Sequence, residues 1–277
     1  MSDFETVGDD LPSNTPVMIV AFAGWNDAGG ASTWAVRHLI EKTDAQSAET
    51  IDSENYYDFS RERPTVHLDG DTRSLRWPEN TISLSSDSSL LLMEGVEPQL
   101  NWRSFCGEIL DVAQKYNVSM IITLGALLAE VPHSRPVLIH GVSENEDLNI
   151  AHGLQRSSYE GPTGIVGVIN QSAIEAGIHN MSLWATVPNY VAGAESPKAA
   201  LALIDKLKII LSLPLNTTDL EIASSAYERQ INQILEGDDD TSKYVDELEG
   251  SYDAGEYEVA DPENFVKEVE NFLRDQD

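Results

Sequence analysis

The chain has 277 residues, of which 41% are hydrophobic, and a formal net charge of −30 at pH 7. A chain of this length buries enough surface for a stable core. Its single cysteine, Cys106, excludes an intrachain disulfide and is typical of a reducing compartment. The acidic excess disfavours binding to nucleic acid or to an anionic membrane, so we expect neither as a partner.

The two ends of the chain are the most acidic parts of the sequence. Residues 1–14 carry acids and no base, unlike a secretory signal, and the first apolar run, residues 17–23, is too short to span a bilayer. These features favour a cytoplasmic location. Residues 237–277 contain 15 acidic and 3 basic residues.

The first element is the apolar run Val17 to Ala23, whose continuous hydrophobicity predicts a strand buried on both faces. A turn marked by Gly24 and Gly29 follows, and then a helix predicted from Ser32 to Ile40. The glycine spacing approaches that of a phosphate-binding loop. Gly30 and Ala31, however, stand where such a loop needs lysine and a hydroxyl, so we predict no nucleotide cofactor.

We interpret this turn as a tight strand-to-helix connection in which Asn26 or Asp27 caps the helix. The alternative is a pocket floor formed by backbone N–H groups and the Asp27 carboxylate. Both interpretations place the turn at the carboxyl end of a strand, where open α/β sheets bind ligands.

The remaining elements alternate in type along the chain. Short strands and hairpins are predicted for 48–93, a helix for 100–116 and a second buried strand for 118–124, ending at Gly125. Strands at 136–142 and 164–168 come next, followed by a short helix at 172–176. A strand at 181–187 and a long helix from Ser196-Pro197 to Leu211 complete this part of the chain. This alternation predicts a three-layer α/β/α fold with a mostly parallel sheet over residues 16–213.

Residues 214–277 form a predicted acidic helical extension. An amphipathic helix spans Thr218 to Leu235, and the sequence Gly237-Asp238-Asp239-Asp240 interrupts it. A final amphipathic helix has its apolar stripe at Phe265, Val269, Phe272 and Leu273. Such a stripe requires a surface to pack against, on this domain, on a second copy or on another protein.

The loops at the predicted strand ends, 24–30, 125–135, 142–147 and 188–195, contain the candidate site residues. The candidates for acid/base catalysis are Asp27, Glu130, His133 and Arg135. The candidates for binding are Gly24, Trp25, Asn26, Asp27, Gly29, Gly125, Asn189 and Tyr190. No metal-binding motif, dinucleotide fingerprint or nucleophile elbow is found, so we expect neither a metal nor a cofactor.

Four segments in this order resemble the proteasome assembly chaperone 2 family, in its prokaryotic, actinobacterial branch. They are residues 20–29 (VAFAGWNDAG), 122–136 (from ITLGA to VPHSRP), 161–165 (GPTGI) and 184–199 (from WATVPNYV to SPKA). The resemblance covers residues 16 to 213. It implies a fold similar to nucleoside phosphorylases and hydrolases, self-association with a trimer favoured, and a protein partner.

The resemblance implies a role like that of the eukaryotic and archaeal relatives, which chaperone the assembly of proteasome α-rings. Some of these relatives dock through a C-terminal tail that consists of a hydrophobic residue, a tyrosine and any third residue. The sequence here ends Leu273-Arg274-Asp275-Gln276-Asp277, which does not match that tail. Two hypotheses follow. The first is a non-catalytic assembly or binding protein, and the alternative is a hydrolase- or phosphorylase-like enzyme acting on a small polar substrate at the strand ends.

Overall fold

The computed structural model describes residues 15–70, 72–154, 161–237 and 239–256. Its strands are β1 (Val17–Ala23), β2 (Gln46–Ile51), β3 (Thr65–Asp69), β4 (Thr72–Arg76), β5 (Asn80–Leu84), β6 (Leu90–Val96), β7 (Met120–Ala129), β8 (Ile139–Val142) and β9 (His179–Pro188). Its helices are α1 (Ala31–Lys42), α2 (Trp102–Lys115), α3 (Glu146–His152), α4 (Ile165–Glu175), α5 (Pro197–Leu211), α6 (Thr218–Leu235) and α7 (Asp239–Ala254).

Seven strands form one sheet in the order β2-β5-β6-β1-β7-β9-β8, and β3 and β4 form a separate hairpin. The four central strands, β6-β1-β7-β9, are parallel. The strands at both edges pair antiparallel with their neighbours. The carboxyl ends of the central strands therefore meet at one edge of the sheet.

Helices cover both faces of the sheet, which confirms the predicted three-layer fold. Side chains alternate along β1, so that Ile19 packs with α1 and α5 on one face and Val20 packs with α2 and α4 on the other. Because β1 contributes to both apolar clusters, its continuous hydrophobic run has a direct structural reason. Among the described residues, no helix combines the length and the apolar character needed to cross a membrane.

The strand predicted at residues 164–168 is wrong, because these residues begin helix α4. Its buried positions, Ile165, Val166, Ile169 and Ala173, have helical spacing. The run of β-branched residues favours a strand by propensity, but the face that it buries against α2 and β9 requires a helix. The short helix predicted at 172–176 is the C-terminal end of the same helix.

Two predicted strand ends also differ from the structure. β7 does not end at Gly125 but continues to Ala129. The strand predicted at 136–142 exists as β8, but it pairs antiparallel with β9. The loop at 142–147 therefore lies at the opposite edge of the sheet from the ends of the parallel strands. Antiparallel pairing in an edge strand has no signature in so short a run.

The helix predicted from Thr218 to Leu235 is confirmed as α6. Its Leu220 joins the apolar cluster shared by α1 and α5, so α6 packs directly on the α/β core. α7 follows after Gly237 and buries Val245 and Leu248. The final predicted helix, with its stripe at Phe265, Val269, Phe272 and Leu273, lies outside the described residues.

Candidate functional site

The first turn connects β1 to α1 at the carboxyl edge of the sheet. Gly24 has a φ of 124° and Gly29 a φ of 60°, which a residue with a side chain rarely adopts. A Cβ on Gly29 would also lie 2.9 Å from Cβ of Ser196, because the loop before α5 crosses the turn there. The backbone N–H of Ser196 donates to the carbonyl of Gly29 at 2.8 Å. These glycines therefore serve close packing between two loops.

Asp27 uses both of its carboxylate oxygens to hold the start of α1. Oδ1 accepts hydrogen bonds from the backbone N–H and the hydroxyl of Ser32, both at 2.6 Å, and from the N–H of Thr33 at 3.4 Å. Oδ2 accepts from the Thr33 hydroxyl. A carboxylate at a helix N-terminus satisfies exposed N–H groups and interacts favourably with the helix dipole. The side chain thus caps α1, as one of the two interpretations of the turn predicts.

Asn26 is fully buried and links the first turn to two other elements. Its Nδ2 donates to Oε1 of Glu97 at 2.8 Å, and its backbone carbonyl accepts from the N–H of Ala126 in β7 at 2.9 Å. The same Glu97 oxygen accepts from the N–H of Ile165, the first residue of α4, at 2.9 Å. Glu97 is therefore a central residue that the sequence reasoning missed. The available signal was its position directly after strand β6.

His133 lies in the second loop and is 2% exposed. Its Nε2 donates to Oδ1 of Asn232 in α6 at 2.9 Å, which leaves Nδ1 as the acceptor for the Tyr190 hydroxyl at 2.8 Å. The Tyr190 oxygen in turn accepts from the backbone N–H of His133 at 2.7 Å. Burial raises the pKa of the Tyr190 hydroxyl above its ordinary value, so it stays a donor. Both ring nitrogens of His133 are thus occupied within the protein.

Arg135 holds α7 against the second loop. Its Nε and Nη2 donate to the two carboxylate oxygens of Asp253 at 2.8 and 2.7 Å, which is a bidentate ion pair. Hydrogen bonding to Asp253 raises the pKa of the Arg135 guanidinium above its ordinary value. The neighbouring Ser134 hydroxyl donates to Glu249, and the Tyr252 hydroxyl donates to the carbonyl of Pro136 at 3.0 Å. The loop is therefore a docking surface for the extension.

Lys198 at the start of α5 is a second residue that the sequence reasoning missed. Its ammonium group donates to the backbone carbonyl of His133 and pairs with Glu228 of α6. Lys198 therefore connects the second loop, α5 and α6. Its distance in sequence from both partners leaves no local signal of this role.

The remaining candidates lie in three different surroundings. Trp25 and Glu130 are exposed at the strand-end edge. Asn189 and Tyr190 instead face α7, where Asn189 donates to the Tyr244 hydroxyl at 3.4 Å and the Tyr190 and Tyr244 rings meet edge to face. Gly125 leaves room for a neighbouring side chain, since a Cβ there would lie 2.5 Å from the Trp184 ring of β9.

The four acid/base candidates do not share one cavity. A cavity bordered by His133 and Arg135 has a volume of about 10 Å³, enough for a single water molecule. Neither Asp27 nor Glu130 lines it. Over the ranges that the structure covers, no group of three His, Cys, Asp or Glu residues could hold a metal ion. The geometry thus uses Asp27, His133 and Arg135 to join elements of the fold.

Comparisons with known proteins give a consistent result. The model of the PAC2 family matches residues 21–235. Solved structures at 40% identity include a PAC2 family protein from Streptomyces avermitilis and a proteasome-assembly chaperone homologue from Mycobacterium tuberculosis; each match covers 83% of this chain and 99% of the other, with a TM-score of 0.76. The proteasome-assembly chaperone homologue PbaA of Pyrococcus furiosus shares the fold at 17% identity and a TM-score of 0.61, with 87% of this chain and 94% of the other covered. No sequence among the curated proteins matches the chain.

Proposed function

This chain belongs to the PAC2 family, and from that membership we propose that it is a non-catalytic binding protein of the assembly-chaperone type. Its partner would be a protein, namely subunits of a proteasome, because the Mycobacterium tuberculosis relative at 40% identity is a proteasome-assembly chaperone homologue. We further propose a cytoplasmic location and self-association, with a trimer favoured.

The observation that carries this proposal is that candidate catalytic side chains already hydrogen-bond to other groups of the protein. Asp27 caps α1 through both oxygens, and His133 has both ring nitrogens hydrogen-bonded inside the protein. A general base must reach the proton that it abstracts, and a buried group with both nitrogens occupied does not. Of the four acid/base candidates, Glu130 alone is exposed. These contacts favour a protein that presents a surface over one that performs a reaction.

Trp25 is the proposed contact residue on that surface. Its side chain is 39% exposed in the first turn, at the edge where the central strands end. Tryptophan is enriched among the residues that contribute most to protein–protein binding, because it buries a large area with little loss of side-chain entropy. The backbone on either side of it is tied to the fold, since Asn26 is buried and bonded to Glu97 and Asp27 caps α1.

The direct test is native mass spectrometry of the purified chain with separately purified, unassembled α and β subunits of an actinobacterial proteasome. We expect a complex with α subunits, weakened at least about 30-fold by Trp25→Ala, which corresponds to a residue contributing about 2 kcal/mol. Leu100→Ala, at another surface position with 46% exposure, serves as the matched control and should leave affinity unchanged.

The absence of any complex at subunit concentrations of tens of micromolar would overturn the proposed partner. Turnover of a small polar substrate that Glu130→Gln abolishes would instead establish the enzymatic alternative, since Glu130 is the exposed carboxylate among the candidates.

A further inference from the structure

The β3–β4 hairpin, which we call the arm, projects from the edge of the fold. Every described residue of the two strands is exposed. An isolated two-stranded hairpin is marginally stable in water, and exposed apolar side chains on it require an explanation. Leu68 is 74% exposed, Leu75 55% and Val66 45%. The arm therefore presents apolar surface that its own chain leaves uncovered.

These apolar side chains lie on one face of the arm. Val66 is paired with Leu75 and Leu68 with Arg73, and directly paired residues of antiparallel strands point to the same side. The arm is anchored at its base, where the Trp77 ring packs edge to face on Phe59 with 4.8 Å between centroids. Phe59 packs in turn on the apolar cluster beneath α2. The base of the arm is thus attached to the domain core through Trp77 and Phe59.

The apolar face of the arm carries one positive charge. The arm as a whole is balanced, with Arg73 and Arg76 against Asp69 and Asp71, and the whole chain carries −30. Asp69 and Arg76 lie on the face opposite the apolar one. Arg73 stands on the apolar face beside Leu68. The surface that complements this face is therefore apolar with an acidic rim, and the acidic body of a second copy of this chain supplies the opposite charge.

Such a surface exists where α1, α5 and α6 cover the sheet. A groove of about 380 Å³ lies between α1, the loop before α5 and α6, with Trp34, Ala223, Ala226 and Tyr227 as its apolar walls and Glu195 and Gln230 at its rim. Glu195 is exposed. The groove is on the face of α1 and α6, whereas the arm extends from the β2–β5 edge of the sheet, so the two surfaces do not overlap.

We propose that the arm of one copy docks in the groove of the next, with Leu68 on the apolar walls and Arg73 paired to Glu195. This inference rests on the self-association included in the proposed function and names the surfaces that form it. A contact between two different surfaces repeats from copy to copy, and it closes into a ring, such as the favoured trimer, when the rotation between copies permits closure.

The first test is sedimentation velocity of the full chain over a range of concentrations. Leu68→Asp is expected to raise the dissociation constant of the oligomer at least tenfold. Ile209→Asp, a matched change at a position 70% exposed on α5, should leave it within twofold. A monomeric wild-type chain, or equal effects of the two substitutions, overturns the inference.

The second test exchanges the charges. Arg73→Glu and Glu195→Arg should each weaken the oligomer about tenfold, and the doubly substituted chain should recover most of the loss. Arg103→Glu, an exposed reversal on α2, controls for the change in net charge. Equal weakening by Arg73→Glu and Arg103→Glu, or a double variant weaker than both single ones, rejects the pairing.

The third test is disulfide cross-linking, for which the chain is suited because its only cysteine, Cys106, is buried. Leu68→Cys combined with Ala226→Cys should link copies into dimers and trimers under mild oxidation. Leu68→Cys with Ile209→Cys should not. Linking by Leu68→Cys alone would show that arms contact each other and would overturn docking in the groove.

Failure of this inference and failure of the proposed function give different results. A monomeric chain that still binds α subunits removes the arm contact and keeps the chaperone-type function. An oligomer that depends on Leu68 but binds no α subunits removes the chaperone-type function and keeps the arm contact.

Discussion

Substitution of Asp27 tests most directly whether the first turn serves to stabilise the fold. In Asp27→Ala, helix α1 loses a cap worth about 1 kcal/mol and a charge–dipole interaction of about 0.5 kcal/mol. The hydroxyls of Ser32 and Thr33, which also donate to the carboxylate, lose their acceptor in a buried site, at a cost of about 1–3 kcal/mol. Together these terms predict a loss of about 3 kcal/mol in the free energy of unfolding.

The loss should extend to the whole domain, because α1 buries Ala31, Ala35, Val36 and Leu39 in the core. For a chain of this size we expect a decrease in Tm of about 6–12 °C. Asp27→Asn keeps an acceptor oxygen but not the charge, and should cost about 1 kcal/mol. Urea unfolding followed by circular dichroism and tryptophan fluorescence measures both.

Asp58 offers a matched control for this experiment. Its carboxylate also accepts from the N–H and the hydroxyl of one serine, Ser60, but its side chain is 41% exposed, so water replaces the lost bonds. Asp58→Ala should cost less than about 1 kcal/mol. Unchanged stability of Asp27→Ala, together with loss of partner binding or of a turnover reaction, would refute the capping role as the reason for this residue.

Two further predictions concern glycine packing and pH. Gly125→Ala places a Cβ 2.5 Å from the Trp184 ring and should destabilise the domain by about 1–3 kcal/mol, whereas Gly107→Ala, with open space around it in α2, should stabilise it by about 0.5–1 kcal/mol in the same urea titration. Burial lowers the pKa of His140 below the ordinary histidine value of about 6.5, so the unfolded chain binds a proton more readily than the folded one. Stability should therefore fall as pH drops below about 6.5, by at most about 1.4 kcal/mol per pH unit for this group. His140→Gln should reduce this slope in urea titrations from pH 7.5 to 5.5, and the exposed His67→Gln should not; equal slopes in all three chains would contradict the assignment.

The sequence predicted the elements whose hydrophobic pattern matches their burial. β1 is apolar throughout because it packs on both faces of the sheet, and α6 begins and ends as its periodicity predicts. The prediction for the start of α4 failed because its β-branched residues favour a strand, and the periodicity of so short an apolar run does not distinguish a buried strand from a buried helix. Glu97 and Lys198 were missed because their partners, Asn26 and His133, are remote in sequence.

The sequence by itself determined the fold class, the glycine-marked turn after β1 and the family resemblance, because periodicity and turn chemistry are local properties of the chain. The tertiary structure alone decided what the polar side chains do. Asp27 became a helix cap, and His133 and Arg135 became contacts for α6 and α7, because a hydrogen bond depends on which distant groups the fold brings within about 3 Å. The turn that begins at Gly24 is thus held by hydrogen bonds to the rest of the fold and leaves Trp25 exposed.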